Sequence, residues 1–123
     1  MECPQCNVEL EELQGDDLSL QRCSNCEGLW TDAAELNRIL LHNNLPGLET
    51  MGGRPNPDEM SRQCPVDLVD MIVVEGGPKH SLAFETCEVC SGIWLEPQGE
   101  VKTMKDAIGE VMGFFKRFHS HAA

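Results

Sequence analysis

Basic residues are scarce in this chain. Only nine of its 123 residues are Lys or Arg, against 21 Asp and Glu, and the formal net charge is −12. A surface this acidic repels the phosphate backbone of nucleic acids, whose binding depends on Lys and Arg contacts. Direct nucleic-acid binding is therefore disfavoured.

Aromatic residues and long apolar runs are also scarce. Aromatic residues make up 5% of the chain and tyrosine is absent, which leaves little bulk for a large hydrophobic core. No apolar stretch approaches the roughly 20 residues that span a bilayer, so we do not expect a membrane partner. The start of the chain lacks the charged and apolar segments of a secretory leader. We therefore expect a cytoplasmic protein with reduced thiols.

Cysteine, in contrast, is abundant and follows a repeated pattern. The first repeat reads C-P-Q-C, then 16 residues, then C-S-N-C-E-G-L-W, and the second reads C-P-V-D, then 19 residues, then C-E-V-C-S-G-I-W. In a reducing compartment, paired C-x-x-C units are typical of metal sites rather than disulfides. The pattern therefore predicts two metal-binding repeats.

Each repeat carries a β-hairpin pattern between its paired cysteines. Apolar and polar residues alternate on both sides of a turn, at 14–17 in the first repeat and at 75–78 in the second. Two such strands bring their knuckles, the tight turns that carry the ligands, to one point. Gly28 and Gly92, two residues after the last ligand, are expected to adopt positive φ. Trp30 and Trp94 are expected to be core residues that cover the metal and the start of the following helix, with stacking on a ligand as the alternative.

Helices are predicted after the hairpins. Thr31 or Asp32 can cap a helix that runs to about His42, with Leu36, Ile39 and Leu40 on one face. Residues 43–62, rich in Gly, Pro and Asn, predict a flexible linker. Apolar residues at helical spacing predict an amphipathic helix over 101–123, whose apolar face packs on the ribbons or forms a homodimer seam or docking face. His119 and His121 are expected to be exposed near its end.

The motifs C-P-x-C and C-x-x-C-x-G-x-W, followed by an acidic pair such as Asp32 and Glu35, resemble the bacterial zinc-finger family named for the zinc ribbon of transcription factor IIB. The resemblance covers residues 1–41 and, more loosely, 64–100. It implies a zinc-binding ribbon and no known activity. The expected fold is a small metal-stabilised α+β protein: a zinc ribbon with its helix at 1–42, the linker at 43–62, a second ribbon at 63–100, and the C-terminal helix at 101–123.

Two structural Zn²⁺ ions are predicted. The ligands expected in the first ribbon are Cys3, Cys6, Cys23 and Cys26, and this closed shell favours a structural role over a catalytic one. A redox dithiol is the competing interpretation. Because zinc also accepts carboxylate oxygen, the ligands expected in the second ribbon are Cys64, Asp67, Cys87 and Cys90. The alternatives there are His80 or water as the fourth ligand, or an empty site in which Asp67 only caps a turn.

These features predict a non-enzymatic zinc-binding interaction or adaptor protein, with a protein partner that is basic if charge guides recognition. One alternative is a zinc or thiol sensor in which the second site is the labile half. A weaker alternative, suggested by the family name and opposed by the charge, is a transcription-related factor that binds nucleic acid.

Overall fold

Both repeats contribute to one antiparallel sheet in this computed structural model, which describes residues 1–13, 15 and 18–119. The strands lie in the order β1-β2-β3-β7-β6-β5-β4, and two α-helices pack on the sheet. In the described part of the chain the elements are β1 (Glu11–Glu12), β2 (Gln21–Arg22), β3 (Leu29–Asp32), α1 (Ala33–His42), β4 (Arg54–Asn56), β5 (Ile72–Gly76), β6 (Leu82–Thr86), β7 (Gly92–Leu95) and α2 (Met104–His119). The small α+β fold with two ribbons is confirmed.

The two repeats meet through their third strands. In the antiparallel pair β3 and β7, Trp30 lies opposite Trp94 and Thr31 lies opposite Ile93. Trp30 and Trp94 occupy the same position in the two repeats, so the pairing relates the repeats by a local pseudo-twofold axis. We call residues 1–42 ribbon one and residues 63–100 ribbon two.

Helix α1 begins and packs as the sequence predicts. The side chain of Asp32 caps it by accepting a hydrogen bond from the Glu35 amide at 2.8 Å. Its buried face, formed by Leu36, Ile39 and Leu40, joins the main hydrophobic core. Because the cap sits at the last residue of β3, the helix lies directly after the ribbon.

Helix α2 is the helix that follows ribbon two, and it begins at Met104 rather than at residue 101. A capping box sets this start, since the Thr103 hydroxyl accepts from the Asp106 amide and the Asp106 carboxylate accepts from the Thr103 amide, both at 3.2 Å. Residues 120–123, including His121, lie outside the described residues. Neither helix among the described residues is long and apolar enough to cross a membrane.

The apolar stripe of α2 is covered within the chain itself. Six of its side chains are buried, and three of these are phenylalanines that contact Phe84 of β6, with ring centroids 5.5 to 6.5 Å apart. The stripe is therefore part of the main core on one face of the sheet, together with the buried face of α1. The face that suggested a homodimer seam is occupied by the chain's own sheet.

Residues 43–62 correct the expectation of a flexible linker. Arg54–Asn56 form β4, which pairs with β5, and Met51 lies in the main core. A short 3₁₀ helix spans Leu48–Thr50. The prolines of this segment suit β4, because it is an edge strand in the described part of the sheet and proline has no amide hydrogen to donate to a second neighbouring strand.

Candidate metal centres

The four cysteines of ribbon one converge on one point. Their sulfur atoms all lie within 4.8 Å of one another, and the sulfurs of Cys3 and Cys26 are 3.7 Å apart. Four sulfurs at 2.3 Å from a tetrahedral zinc ion would be about 3.8 Å apart. Cys3 and Cys23 are buried, and Cys6 and Cys26 are partly buried. The donor set and its spacing fit a closed zinc shell.

Backbone amides support the first sulfur of each knuckle in ribbon one. The amides of Gln5 and Cys6 donate to the sulfur of Cys3 at 3.3 Å. The amides of Asn25 and Cys26 donate to the sulfur of Cys23 at 3.3 and 3.4 Å. Such bonds favour the thiolate over the thiol, which is the form that binds zinc.

The sharp turn of the second knuckle in each ribbon falls one residue earlier than the sequence suggested. The residue directly after the second ligand is left-handed in all four knuckles, at Asn7, Glu27, Leu68 and Ser91, with φ between 58° and 63°. The amide of this residue donates to the carbonyl of the first ligand, as from Asn7 to Cys3 at 3.0 Å. The prediction of positive φ at Gly28 and Gly92 is therefore wrong.

Those two glycines are needed for close packing between the ribbons. A Cβ at Gly28 would lie 2.2 Å from Trp94, and a Cβ at Gly92 would lie 2.2 Å from Trp30. Both tryptophans are buried core residues, as expected, but each ring covers the knuckle of the other ribbon. This exchange was not predicted from the sequence, where its signal is the Gly-x-Trp spacing that both repeats share.

The donors of ribbon two also converge, and they include Asp67. The four donor atoms lie within 4.8 Å of one another, and the sulfurs of Cys64 and Cys90 are 3.7 Å apart. The Asp67 Oδ2 atom lies 3.8 Å from the Cys64 sulfur and 3.5 Å from the Cys87 sulfur. An oxygen and a sulfur on one tetrahedral zinc ion would be about 3.6 Å apart.

Of the two residues predicted as the fourth ligand of ribbon two, Asp67 lies in the donor cluster and His80 does not. His80 lies in a 3₁₀ turn at Pro78–His80, between β5 and β6, and it is not part of the donor cluster. The knuckles lie at the opposite ends of these strands. Asp67 is therefore the residue in place to complete ribbon two's site.

Packing four acidic groups together perturbs their ionisation. Burial opposes the thiolate of Cys23, but the amides of Cys26 and Asn25 bring its pKa down to about 7. Burial and the neighbouring thiols raise the pKa of Cys26, and burial and Asp67 raise the pKa of Cys90 to about 12. A divalent cation offsets this repulsion and allows all four donors to ionise.

The family comparison agrees with this geometry. Residues 2–42 match the TFIIB-type zinc-ribbon family, described as a transcription factor zinc-finger. Ribbon one is therefore similar to the TFIIB-type zinc ribbon. The second cluster, in the same topology, fits a divergent second ribbon, and both clusters suit a zinc ion. No match is found among curated proteins or among solved structures.

Proposed function

We propose that this protein is a non-enzymatic interaction module in which two zinc ions hold two ribbons together as one rigid binding surface. The observation that carries the proposal is the pair of complete donor clusters, joined through β3 and β7 and through the crossed tryptophans. Each shell has four protein donors and leaves no position for a water or substrate, which suits structural zinc.

The small size of the hydrophobic cluster at the knuckles supports a structural role for the metal. The cluster around the knuckles consists of the cysteines with Leu10, Trp30, Met71 and Trp94. So few apolar side chains do little to fix the four knuckles, whereas structural zinc contributes an apparent free energy on the order of 10 kcal/mol to small modules. Zinc therefore acts by fixing the shape of the surface.

The charge supports a protein partner. At −12 the chain is strongly acidic, which disfavours nucleic-acid phosphates and favours a partner with Lys and Arg at its contact surface. Recognition by complementary charge also accelerates encounter.

The proposal is tested by crosslinking in cells followed by reconstitution. A photo-crosslinking residue on the protein surface would capture a partner, which is then purified and titrated with the zinc-loaded protein. We expect saturable binding that is lost when Cys6→Ser and Cys26→Ser remove ribbon one's metal. Binding that is equally tight without zinc, or turnover of a substrate by the purified chain, would contradict the proposal.

A zinc or thiol sensor is the second candidate, and the asymmetry of the two sites favours it. In ribbon one the Asn25 side chain donates to the Cys6 sulfur at 3.2 Å, and Val89 occupies the equivalent position in ribbon two. Ribbon two also has the harder oxygen ligand of Asp67, which lowers the affinity for soft metals. Titration with hydrogen peroxide tests this role: a sensor would release one zinc ion per chain well before the other.

A further inference from the structure

We propose that the knuckle tips of ribbon two form a docking surface for a protein segment with apolar side chains flanked by Lys or Arg. This surface, the tip patch, consists of Val66, Leu68, Val69 and Val89. The inference rests on the proposed interaction function and specifies where the partner binds and what its chemistry is.

The tip patch is unusually apolar and exposed. The exposed fractions are 52% for Val66, 69% for Leu68, 42% for Val69 and 69% for Val89. These residues sit on the two knuckles whose donors meet within 4.8 Å, so both halves of the patch are held at one end of the ribbon. A group of exposed apolar residues on a rigid support is typical of a protein contact surface.

Ribbon one shows that the fold does not require apolar residues there. Gln5, Asn7 and Asn25 occupy the positions of Val66, Leu68 and Val89, and the fourth position is valine in both ribbons, as Val8 and Val69. Two of them have local partners: Gln5 accepts from the Arg62 guanidinium at 2.9 Å, and Asn25 donates to Cys6. The same backbone therefore carries polar residues at three of the four tip positions in one ribbon and apolar residues at all four in the other.

Leu68 is the residue least explained by the fold alone. Its φ is 58°, in the left-handed region where a leucine side chain is strained, whereas Asn7 at the equivalent position belongs to the residue types that tolerate it. Leu68 is also mostly exposed, so it gains little from burial within this chain. Contact with a partner is a reason for a leucine at this position.

The negative charge around the tip patch favours a basic partner. Asp70 and Glu88 are exposed beside the patch, and segments 64–70 and 87–91 contain no Lys or Arg. A zinc shell of three thiolates and one carboxylate adds further negative charge. This rim repels anionic lipid and a second molecule of the same acidic chain, and it complements a basic partner.

The test uses short synthetic peptides and a variant that gives ribbon two the tip of ribbon one. The probes are an amphipathic Leu/Lys helix, a scrambled Leu/Lys peptide without an apolar face, and a Leu/Glu helix. Each is titrated by fluorescence anisotropy against the zinc-loaded protein and against the triple variant Val66→Gln, Leu68→Asn, Val89→Asn. The matched control is Leu41→Gln, which removes an apolar side chain of 62% exposure from α1.

We expect the Leu/Lys helix to bind the wild-type protein and the control equally, and to bind the triple variant about tenfold more weakly. The triple variant should keep its zinc and melt no lower than wild type, because asparagine adopts positive φ more easily than leucine. If it fails to fold, the single variant Val89→Asn provides the same comparison.

Three results would overturn the proposal. The first is wild-type affinity in the triple variant, which leaves the interaction function standing and removes this surface from it. The second is equal binding of the scrambled peptide, which would mean that only charge is recognised. The third is sedimentation of the wild type as a dimer and of the triple variant as a monomer, which would make a second molecule of this chain the occupant. Failure of zinc-dependent partner capture in cells is a separate outcome that removes the interaction function itself.

Discussion

Gly92→Ala should destabilise both ribbons, although it adds a single methyl group. The new Cβ would lie 2.2 Å from Cη2 and Cζ2 of Trp30 and 3.2 Å from the sulfur of Cys90. Carbon atoms normally approach no closer than about 3.5 Å, so the indole ring must move by roughly 1.3 Å. Because Trp30 belongs to ribbon one and Gly92 to ribbon two, the strain acts across the interface between them.

The magnitude follows from the packing. Overfilling a close-packed core costs about 1–3 kcal/mol, and expelling a buried tryptophan costs about 3–5 kcal/mol. Trp30 lies among buried cysteines and has little room to shift. We therefore expect Gly92→Ala to lower the free energy of unfolding by about 3 kcal/mol, near the upper end of the overpacking range.

The assay is urea denaturation of the zinc-loaded protein, with Gly109→Ala as the matched control. A Cβ at Gly109, in α2, would meet no atom within 4 Å, so that substitution should be neutral or raise stability by up to about 1 kcal/mol. In a Trp30→Leu background, where the contacted ring atoms are gone, Gly92→Ala should cost much less. Equal stability of Gly92→Ala and wild type, or an equal cost in both backgrounds, would refute the crossed packing.

Three further predictions concern single charges and the C-terminal helix. The Ser19 amide and the Arg38 guanidinium donate to Glu35 at 3.0 and 2.9 Å and lower its pKa, so its ionised form stabilises the fold above the unfolded-state pKa. Glu35→Gln should therefore be less stable than wild type near pH 7, with a difference that shrinks below about pH 4.5 in chemical denaturation. Arg62→Ala should cost about 1–3 kcal/mol by the same method, because it removes the guanidinium paired with the buried carboxylate of Glu85; an unchanged midpoint would count against that pair. A chain ending near residue 100 should be markedly less stable to denaturant than the full chain when both are loaded with zinc, since it loses six buried side chains at about 1.5–3 kcal/mol each; an unchanged midpoint would contradict the assigned core.

Local sequence signals predicted the parts of the structure that depend on neighbouring residues. The C-x-x-C spacings located both donor clusters, and Asp67 was identified because it stands where the first repeat has Cys6. The cap at Asp32 and the buried face of α1 followed from residue type and helical spacing. In each case the interacting groups lie on one short segment or repeat a known motif.

Contacts between distant segments could not be predicted in the same way. A glycine two residues after a ligand suits either a positive φ or close packing of another side chain against the backbone. The pairing of β3 with β7 brings Trp94 against Gly28, so close packing is the reason for glycine at this position. The composition of residues 43–62, rich in Pro and Gly, also led to the wrong prediction of a flexible linker. The partner of β4 is β5, which follows it by more than a dozen residues, so no local pattern reveals the edge strand.

The central claim is that two zinc ions, one of them bound by Asp67, hold the two ribbons together. The most direct test is elemental analysis of protein purified without added metal, for the wild type and for Asp67→Ala. We expect two zinc ions per chain in the wild type and about one in the variant. One zinc ion per chain in both proteins would contradict it, because Asp67 would then be only a turn residue and ribbon two would not be a zinc site.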